Sequence, residues 1–317
     1  MIIAGLLLFG RQNLGVSIET YGNAWVFCVF GDNRKRSAAV KTKYLFFDID
    51  GTLIEHGAEL QESVRDAIRL AKANGHQIII ASGRARCAIP SAIQALEYDG
   101  LIASAGAYVE YRGKSLFHQP MQKEEVASLV EFLEKHAVIL VLETNDKCYL
   151  NETSFQNFRE EIKREWYLEE TEDQERAGEF LHTMELREDL KSVDSVNKVL
   201  YFKADAGLEE LREQFGDYFT IIPNSVLSQE DPGSGEISEK GMHKAFGMEV
   251  LLQRLGIGPE DTIAFGDGWN DVEMLQQAGI GVAMGNAVDG LKAVADLVTG
   301  KVSENGIYQA FKQLRLI

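Results

Sequence analysis

The sequence YLFFDIDGT, residues 44–52, decides the fold of this chain. Its first four residues are an uninterrupted apolar run, which is typical of a strand buried on both faces of a parallel sheet. Asp48 and Asp50 follow at once, and their spacing of two residues directs both carboxylates to the same side. Gly51 then lets the backbone leave the strand in a turn. We therefore expect two acidic groups at the end of a buried strand, an arrangement that suits Mg²⁺ because that ion prefers hard oxygen ligands.

Strands and helices alternate on both sides of this stretch. Apolar residues recur on one face of a predicted helix over 62–74, and apolar runs predict strands at 77–81 and 101–104. The same rhythm returns near the C-terminus, with helices predicted over 241–255 and 272–278 and strands at 261–265, 280–284 and 295–299. This alternation of strands and helices predicts an α/β fold, with a doubly wound, Rossmann-like parallel sheet and helical crossovers.

Residues 108–228 interrupt this rhythm. Short predicted strands such as 138–142 and 198–202 accompany a charged, helix-prone stretch, which predicts an inserted α+β domain with its own core. We expect residues 43–107 and 229–317 to form one catalytic core around this insertion.

Residues 1–42 form a separate N-terminal extension to which the sequence assigns no role. Residues 16–30 are rich in aromatic and β-branched residues, which favours strand, and 31–37 have the composition of a linker. The apolar start, residues 1–10, lacks the basic residues and the cleavage site of a secretory signal. A strand or buried segment is the favoured interpretation, with a weak signal peptide as the alternative.

The acidic composition narrows the possible partners. The 317 residues carry a formal net charge of −17, and such a surface repels nucleic acid and anionic lipid, so we expect neither as a partner. No apolar run approaches the roughly 20 residues of a membrane span. Cys28, Cys87 and Cys148 are widely spaced, which predicts packing residues in a reducing cytoplasm and no disulfide framework. The sequence indicates no oligomeric state.

Two further polar groups lie at or near the ends of predicted elements, where ligands bind in open α/β sheets. Ser82, Gly83 and Arg84 follow a strand, and a hydroxyl beside backbone N–H groups suits a phosphate oxygen. Lys240 lies where we predict a helix to begin, which is unfavourable for a cation unless it faces an anion. Each has a structural alternative, because Ser-Gly pairs are common in turns and exposed lysines are frequent.

The last polar group is GDGWND, residues 266–271, which follows a predicted strand and precedes a helix. Asp267, Asn270 and Asp271 converge there. Asn270 and Asp271 also fit the N-cap of the helix, whereas Asp267 between two glycines has no such explanation.

A calcium-binding loop is the alternative for the first acidic pair. Asp48, Asp50 and Glu59 occupy positions 1, 3 and 12 of an EF-hand loop. However, position 6 is Leu53 instead of glycine, and a strand precedes the loop. These mismatches disfavour the calcium loop.

Taken together and in this order, the four groups resemble the motifs of the haloacid dehalogenase superfamily of phosphohydrolases. DIDGTL at 48–53 is similar to the first motif, Ser82 to the second, Lys240 to the third and GDGWND to the fourth. The third motif departs from the more usual Asp-Lys-Gly by having Glu239 before the lysine. The resemblance covers about 43–317.

Two C-terminal stretches resemble the Cof-like branch of this superfamily. They are GVAMGNA at 281–287 and ADLVT at 295–299. Members of that branch carry a large α/β cap, of type IIB, between the second and third motifs. The insertion at 108–228 has the place and the size of such a cap, which would select the substrate.

The resemblance implies a role for each group. Asp48 would be the nucleophile that forms an aspartyl phosphate, and Asp50 the general acid and base. Lys240 would complete the catalytic set. Mg²⁺ would be the cofactor. The residues expected to bind the phosphoryl group or support its loop are Thr52, Ser82, Gly83, Arg84, Lys240 and Asn270. The residues expected at the metal are Asp48, Asp50 through its backbone carbonyl, Asp267 and Asp271, the last orienting the lysine or a metal-bound water.

These features predict a cytoplasmic, Mg²⁺-dependent phosphatase acting on a small phosphorylated metabolite. A phosphomutase on the same scaffold stays open, since it differs only in what accepts the phosphoryl group. A signalling receiver domain also uses Mg²⁺ and an acceptor Asp, but it is shorter and lacks a cap. The substrate itself stays open among sugar phosphates, nucleotides and pyridoxal phosphate.

Overall fold

The computed structural model describes residues 15–21, 24–30, 41–55, 59–165, 181–223 and 233–317. The chain divides into two compact units, Met1–Lys41 and Thr42–Ile317. In the first unit, β1 (Gly15–Tyr21) pairs with β2 (Ala24–Phe30) in an antiparallel hairpin, which confirms the strand prediction for this stretch. The predicted linker at 31–37 and the apolar start at 1–10 lie outside the described residues.

The second unit contains the alternating strands and helices. Its described strands are β3 Tyr44–Phe47, β4 Gln77–Ala81, β5 Gly100–Ala103, β6 Tyr108–Tyr111, β7 Lys114–His118, β8 Ile139–Glu143, β9 Cys148–Leu150, β10 Met184–Leu186, β11 Lys198–Phe202, β12 Phe219–Pro223, β13 Gly235–Glu239, β14 Thr262–Gly266, β15 Ile280–Ala283 and β16 Leu297–Val298. Its described α-helices are α1 Glu62–Ala73, α2 Ser91–Gln94, α3 Lys123–His136, α4 Glu152–Glu165, α5 Leu208–Phe215, α6 Lys244–Leu255, α7 Val272–Gln277, α8 Asp289–Lys292 and α9 Gly306–Gln313.

The core sheet has the spatial order β16, β15, β14, β3, β4, β5, β6, β7. The pairs from β16 to β5 are all parallel, which confirms the predicted α/β fold. β6 and β7 extend the sheet antiparallel at one edge. Because β3 lies between β14 and β4, the polar groups that follow these three strands meet at one edge of the sheet.

Helices cover both faces of the core sheet. Phe47 of β3 packs on one face with Ile68 of α1 and Phe311 of α9. Phe46, its neighbour in the strand, packs on the other face with Met248 of α6 and with residues of α7. Successive side chains of a strand point to opposite faces, so a strand covered on both sides is apolar throughout. In the described part of the chain, no helix is both long and apolar enough to span a bilayer.

The inserted domain has its own sheet, of order β10, β9, β8, β11, β13, β12. Except for the parallel pair β9 and β10, its strands pair antiparallel. One face packs on apolar residues of α3 and α5. The other face packs in part on Phe158 of α4. We call this domain the cap.

The sheets place the boundaries of the cap differently from the sequence prediction of 108–228. β6 and β7, ending at His118, belong to the core sheet, whereas β13, Gly235–Glu239, belongs to the cap sheet. The cap therefore extends from about 119 to about 240. The sequence prediction missed this because β6 and β7 are antiparallel and break the β-α rhythm. β13 reaches the cap only through long-range pairing with β11 and β12.

Candidate active site

The site is built at the ends of β3, β4 and β14, as predicted. Asp48 follows β3 and is 6% exposed, and its backbone N–H donates to the carbonyl of Phe265 in β14 at 3.1 Å. Asp50 stands two residues on and is partly exposed. The turn that follows needs glycine, because Gly51 has φ of +85° and a Cβ there would lie 2.1 Å from Oδ2 of Asp267. The turn thus brings the first and fourth groups together.

Lys244 is the cation that contacts the buried carboxylates. Its Nζ donates to Oδ1 of Asp48 at 2.6 Å and to Oδ1 of Asp271 at 2.7 Å, and all three side chains are buried. Burial alone would lower the pKa of Lys244, but the charges of Asp271 and Asp48 outweigh it and raise that pKa. The lysine is therefore held as a cation.

The structure corrects the prediction for Lys240, which does not lie in this site. Its Nζ is on the surface and donates to the backbone carbonyls of Gly216 at 2.9 Å and Asp217 at 3.4 Å. The helix that was predicted from 241 begins at Lys244 after His243, whose Nδ1 accepts from the N–H of Phe246. The sequence argument was right that a lysine stands in the first turn of this helix, where a cation is unfavourable. It named Lys240 in place of Lys244 because the helix start was placed too early.

The fourth group holds Asp271 and, through it, the lysine. Oδ2 of Asp271 accepts from the backbone N–H groups of Asp267 and Gly268, both at 3.0 Å. Its other oxygen accepts from Lys244. Asp271 thus binds the backbone of the loop, as its structural interpretation as a capping residue expects. It also positions the lysine, as its functional interpretation expects.

Three carboxylates are arranged so that they could hold a divalent cation. Ligand oxygens of Asp48, Asp267 and Asp271 all lie within 4.8 Å of one another. Burial raises the pKa of Asp48; Lys244 opposes this rise, and the neighbouring carboxylates of Asp271 and Asp50 reinforce it. A cation among these oxygens would relieve the repulsion. An all-oxygen donor set fits Mg²⁺. The side chain of Asp50 is not in this set, since it contacts Arg84.

Thr52 holds Asp267, one of the three carboxylates of the candidate metal site. It is fully buried, and its Oγ1 donates to Oδ1 of Asp267 at 3.2 Å. Asn286, which the sequence prediction did not include as a site residue, donates from Nδ2 to the carbonyl of Gly51 at 2.8 Å. These contacts hold the loop after β3 against the loop after β14.

Arg84 and Asp50 form a two-point ion pair. Nε of Arg84 lies 2.7 Å from Oδ2 of Asp50 and Nη2 lies 2.8 Å from Oδ1. Bidentate pairs of this kind fix both the position and the plane of the carboxylate. The structure therefore brings Arg84 to Asp50, whereas the prediction had placed it at the phosphoryl group.

Ser82 and Gly83 lie where a phosphate-binding loop was predicted. Ser82 is buried, and its Oγ accepts from the backbone N–H of Arg84 at 3.1 Å. The carbonyl of Gly83 accepts from Nζ of Lys198, a cap residue, at 2.9 Å. Asn270 is exposed at the start of the loop that leads into α7. Trp269 beside it is 68% exposed.

The cap contacts the core close to this loop. Besides Lys198, Cys148 of β9 lies with its Sγ 3.8 Å from Sγ of Cys87, a core residue that follows the Ser82 loop. Two cavities of about 320 and 620 Å³ lie where core and cap residues meet, and Arg86, Asn145 and Asp146 line both. The carboxylate cluster lines neither cavity. The cap thus lies against the edge of the site.

This arrangement can perform nucleophilic chemistry at an anionic centre. Asp48 offers a buried carboxylate next to a fixed cation, and a second carboxylate, Asp50, is oriented close to it in sequence. Oxygen donors for a divalent cation lie on the same edge of the sheet. A nucleophile, an acid–base group and positive charge are the components that phosphoryl transfer needs.

Comparisons with known proteins agree with this chemistry. The model of the haloacid dehalogenase-like hydrolase family matches residues 45–311. Pyridoxal phosphate phosphatase YbhA of Escherichia coli (strain K12) is 29% identical over 271 residues, which are 84% of this chain and 97% of that protein. 5-amino-6-(5-phospho-D-ribitylamino)uracil phosphatase YitU of Bacillus subtilis (strain 168) is 28% identical over 278 residues, 86% of this chain and 97% of that protein. The solved structure of the subclass IIB sugar phosphatase BT4131 matches with a TM-score of 0.68 at 30% identity, covering 87% of this chain and 100% of that one.

Proposed function

Because the chain belongs to the haloacid dehalogenase-like hydrolases and is a phosphatase of that family, we propose that it hydrolyses the phosphate monoester of a small metabolite through an aspartyl phosphate at Asp48. The family and the capped α/β fold predicted from the sequence are confirmed. The proposal adds the mechanism, the cofactor Mg²⁺ and the cytoplasm as the place of action.

The contact between Lys244 and Asp48 carries this proposal. The ammonium group of Lys244, 2.6 Å from Asp48, favours the ionised and nucleophilic form of this carboxyl and so opposes the effect of burial, which raises its pKa. The second contact of the lysine, to Asp271 at 2.7 Å, keeps the ammonium group in place. The same positive charge would also attract the phosphoryl oxygens of a substrate.

In the first half-reaction, a carboxylate oxygen of Asp48 attacks phosphorus and the bond from phosphorus to the leaving oxygen breaks. Asp50 gives its proton to that oxygen, so that the metabolite leaves as an alcohol. Arg84 keeps the carboxyl of Asp50 in one orientation during this transfer. Backbone and hydroxyl groups around Ser82 face the phosphoryl oxygens.

In the second half-reaction, Asp50 takes a proton from water as that water attacks the aspartyl phosphate. The bond between Asp48 and phosphorus breaks, inorganic phosphate leaves, and both carboxyl groups return to their starting states. When bound, Mg²⁺ would be held by Asp48, Asp267, Asp271 and the backbone carbonyl of Asp50, and would offset the repulsion between Asp48 and the phosphate.

Phosphate release with Mg²⁺ tests the function. The purified chain is expected to release inorganic phosphate from p-nitrophenyl phosphate and from members of a phosphometabolite panel. Asp48→Asn should fold and release none, because an amide is not a nucleophile. Asp66→Asn is the matched control, since Asp66 lies partly exposed on α1, away from the site, and pairs with Arg69 on the same helix. A phosphorylated Asp48 trapped by acid quench and located by mass spectrometry would establish the intermediate. Transfer of phosphate to a second metabolite without release would instead indicate a phosphomutase.

A further inference from the structure

The core strand β5 ends in a turn of left-handed backbone. The strand ends at Ala103, and the next three residues, Ser104, Ala105 and Gly106, have positive φ values of 47°, 52° and 104°. This conformation is unfavourable for residues other than glycine, and it persists only where the surrounding structure holds it. We call these three residues the β5 turn. Two strained residues in succession indicate that the β5 turn is held by close contacts with neighbouring elements.

On one side, the β5 turn is hydrogen-bonded to the loop that carries Ser82. The backbone N–H of Ala105 donates to the carbonyl of Ser82 at 3.0 Å, and that of Ser104 donates to the carbonyl of Arg84 at 2.8 Å. The N–H of Ser82 donates in return to the carbonyl of Ile102 in β5 at 2.8 Å. Three backbone hydrogen bonds therefore hold the end of β5 and its turn against this loop of the candidate active site.

On its other side, the β5 turn contacts the start of α6, the helix that carries Lys244. Gly106 is buried, and a Cβ built on it would lie 2.4 Å from the carbonyl oxygen of His243, the residue before Lys244. A side chain at this position would therefore push the start of the helix away from the turn.

Gly247, one helical turn after Lys244, makes a second close approach. A Cβ on Gly247 would lie 2.4 Å from Cγ2 of Ile102 and 3.2 Å from Cα of Gly106. Ile102 is fully buried and packs in the same core cluster as Met248 of α6. Residues three apart in a helix lie on the same face, so this contact is made on the face that carries Lys244.

We propose that Gly106 and Gly247 are positioning residues for Lys244, because their close contact sets where the start of α6 lies. Neither glycine carries a group that can act on a substrate, so both act through the lysine. Its Nζ donates to Asp48 at 2.6 Å and to Asp271 at 2.7 Å. The inference rests on the proposed function, since it concerns the cation next to the proposed nucleophile.

The distances indicate how far the lysine would move. Carbon atoms in contact stand about 3.5–4.0 Å apart, so a Cβ at 2.4 Å from Ile102 must move away by more than about 1 Å. A shift of that size at Lys244 would lengthen at least one of its two hydrogen bonds beyond about 3.5 Å. Misplacement of a catalytic group by about 1 Å can lower the rate about 100-fold. Because the long lysine side chain can absorb part of the shift, we expect a loss of at least about tenfold.

Gly247→Ala tests the inference in the full-length chain. Alanine is the most favourable residue in a helix, so a loss of helix propensity cannot explain a lower rate. Gly100→Ala is the matched control, because its methyl group also enters between β5 and α6, 3.3 Å from Cδ1 of Leu251. That point lies two helical turns beyond Lys244. Gly247→Ala should lower kcat on p-nitrophenyl phosphate at least about tenfold, and Gly100→Ala should keep it within about twofold.

A double-mutant cycle shows whether Gly247 acts through the lysine. In the Lys244→Met background, Gly247→Ala should lower kcat by no more than about a further twofold, because no ammonium group is left to misplace. A structural defect would instead multiply the two losses.

A second substitution should rescue the Gly247 variant. Ile102→Ala removes the atom that the new methyl group meets, so Gly247→Ala with Ile102→Ala should recover at least about fivefold in kcat over Gly247→Ala alone. The same substitution empties part of the core and should lower the melting temperature. Activity and stability should therefore change in opposite directions, which a purely structural role does not produce.

A crystal structure of the Gly247→Ala chain measures the position of the lysine independently of turnover. The distance from Nζ of Lys244 to Asp48, to Asp271 or to both should exceed about 3.5 Å. If this variant does not fold, Gly106→Ala replaces it in each experiment. Its control is then Gly113→Ala, because Gly113 also has a left-handed φ of +71° and a Cβ there would meet nothing within 4 Å.

Four results would overturn the inference. They are an unchanged kcat in Gly247→Ala, an equal loss in Gly100→Ala, a full multiplicative loss in the Lys244→Met background, and an Nζ that keeps both of its hydrogen bonds in the crystal structure. Failure of the wild-type chain to hydrolyse any ester would instead reject the proposed function. The crystal structure would then still show whether the two glycines place the lysine.

Discussion

The guanidinium of Arg84 donates to both carboxylate oxygens of Asp50, from Nε at 2.7 Å and from Nη2 at 2.8 Å. A carboxylate held in this way has a fixed plane, and both of its oxygens are turned toward Arg84. Neither residue is fully buried, with 34% and 31% of the side chains exposed. Asp50 can therefore exchange its proton with water between the two half-reactions.

Asp50→Asn should separate the two half-reactions. p-Nitrophenolate leaves well without a proton, so phosphorylation of Asp48 should outrun the hydrolysis that needs Asp50 as base. We expect a burst of nitrophenol of about one equivalent per active site, followed by slow turnover. An alkyl phosphate, whose leaving group needs the proton, should be hydrolysed slowly without a burst. Rapid mixing and mass spectrometry of the phosphoenzyme measure both. Equal losses on the two esters with no trapped phosphoenzyme would remove Asp50 from the acid–base role.

Lys244 and Lys240 offer a direct comparison of two lysines four residues apart. Lys244→Met removes the cation that contacts Asp48 and should lower kcat at least about 100-fold, the loss seen when one charge-stabilising group is removed. Lys240→Met changes a surface residue and should keep kcat within about twofold. Circular dichroism checks that both variants are folded. A larger loss in the Lys240 variant than in the Lys244 variant would contradict the assignment.

Activity should require a hard divalent cation. The oxygens of Asp48, Asp267 and Asp271 suit Mg²⁺, and Ca²⁺ should support turnover poorly because it prefers looser coordination with more ligands. Mg²⁺ should also raise the melting temperature, since a ligand at 100 times its Kd stabilises the folded state by about 2.7 kcal/mol. Asp267→Asn should weaken this thermal shift, which calorimetry measures independently of turnover. Full activity in excess EDTA would show that no such cation is needed.

Residues 1–40 should be dispensable for catalysis. The first compact unit ends at Lys41, and the site residues described above all belong to the second. A chain beginning at Lys41 should keep its kcat on p-nitrophenyl phosphate. A loss of more than about tenfold, or about 1.4 kcal/mol of barrier, in a folded truncated chain would assign the extension a part in the reaction.

Oxidation should link the cap to the core. The Sγ atoms of Cys87 and Cys148 are 3.8 Å apart, against about 2.0 Å in a disulfide, so the two thiols are close enough for oxidation to bring them together. Diamide takes the two electrons and two protons that the two thiols lose. We expect a linked chain with lowered turnover, because a tied cap hinders substrate entry, and recovery on reduction with dithiothreitol. Cys87→Ser should resist the treatment. Unchanged activity of the fully linked protein would show that the cap need not move.

Continuous apolar runs made much of the fold predictable. β3, β4 and β11 have the bounds that the sequence predicts, because each run is apolar and is bounded by polar residues or breakers. The position of the acidic groups could be predicted once β3 and β14 were recognised, since ligand groups in such sheets lie where strands end. The pairing of these two loops in space then follows from the parallel order of the sheet.

The cation of the site could not be found in this way. Lys244 opens α6, and the sequence gives little sign of where that helix begins, because Gly241 and Met242 are compatible with either side of the boundary. The buried neighbours Asp48 and Asp271 that make the lysine favourable are 196 and 27 residues away in sequence.

The cap is inserted between the Ser82 loop and Lys244. One continuous stretch of sequence therefore encodes the cap, and the stretches on either side of it encode the core. Substitutions between about 119 and 240 change the cap sheet and its helices, whereas the contacts of Lys244 with Asp48 and Asp271 lie outside that stretch. The cap can therefore vary in sequence while these contacts stay the same.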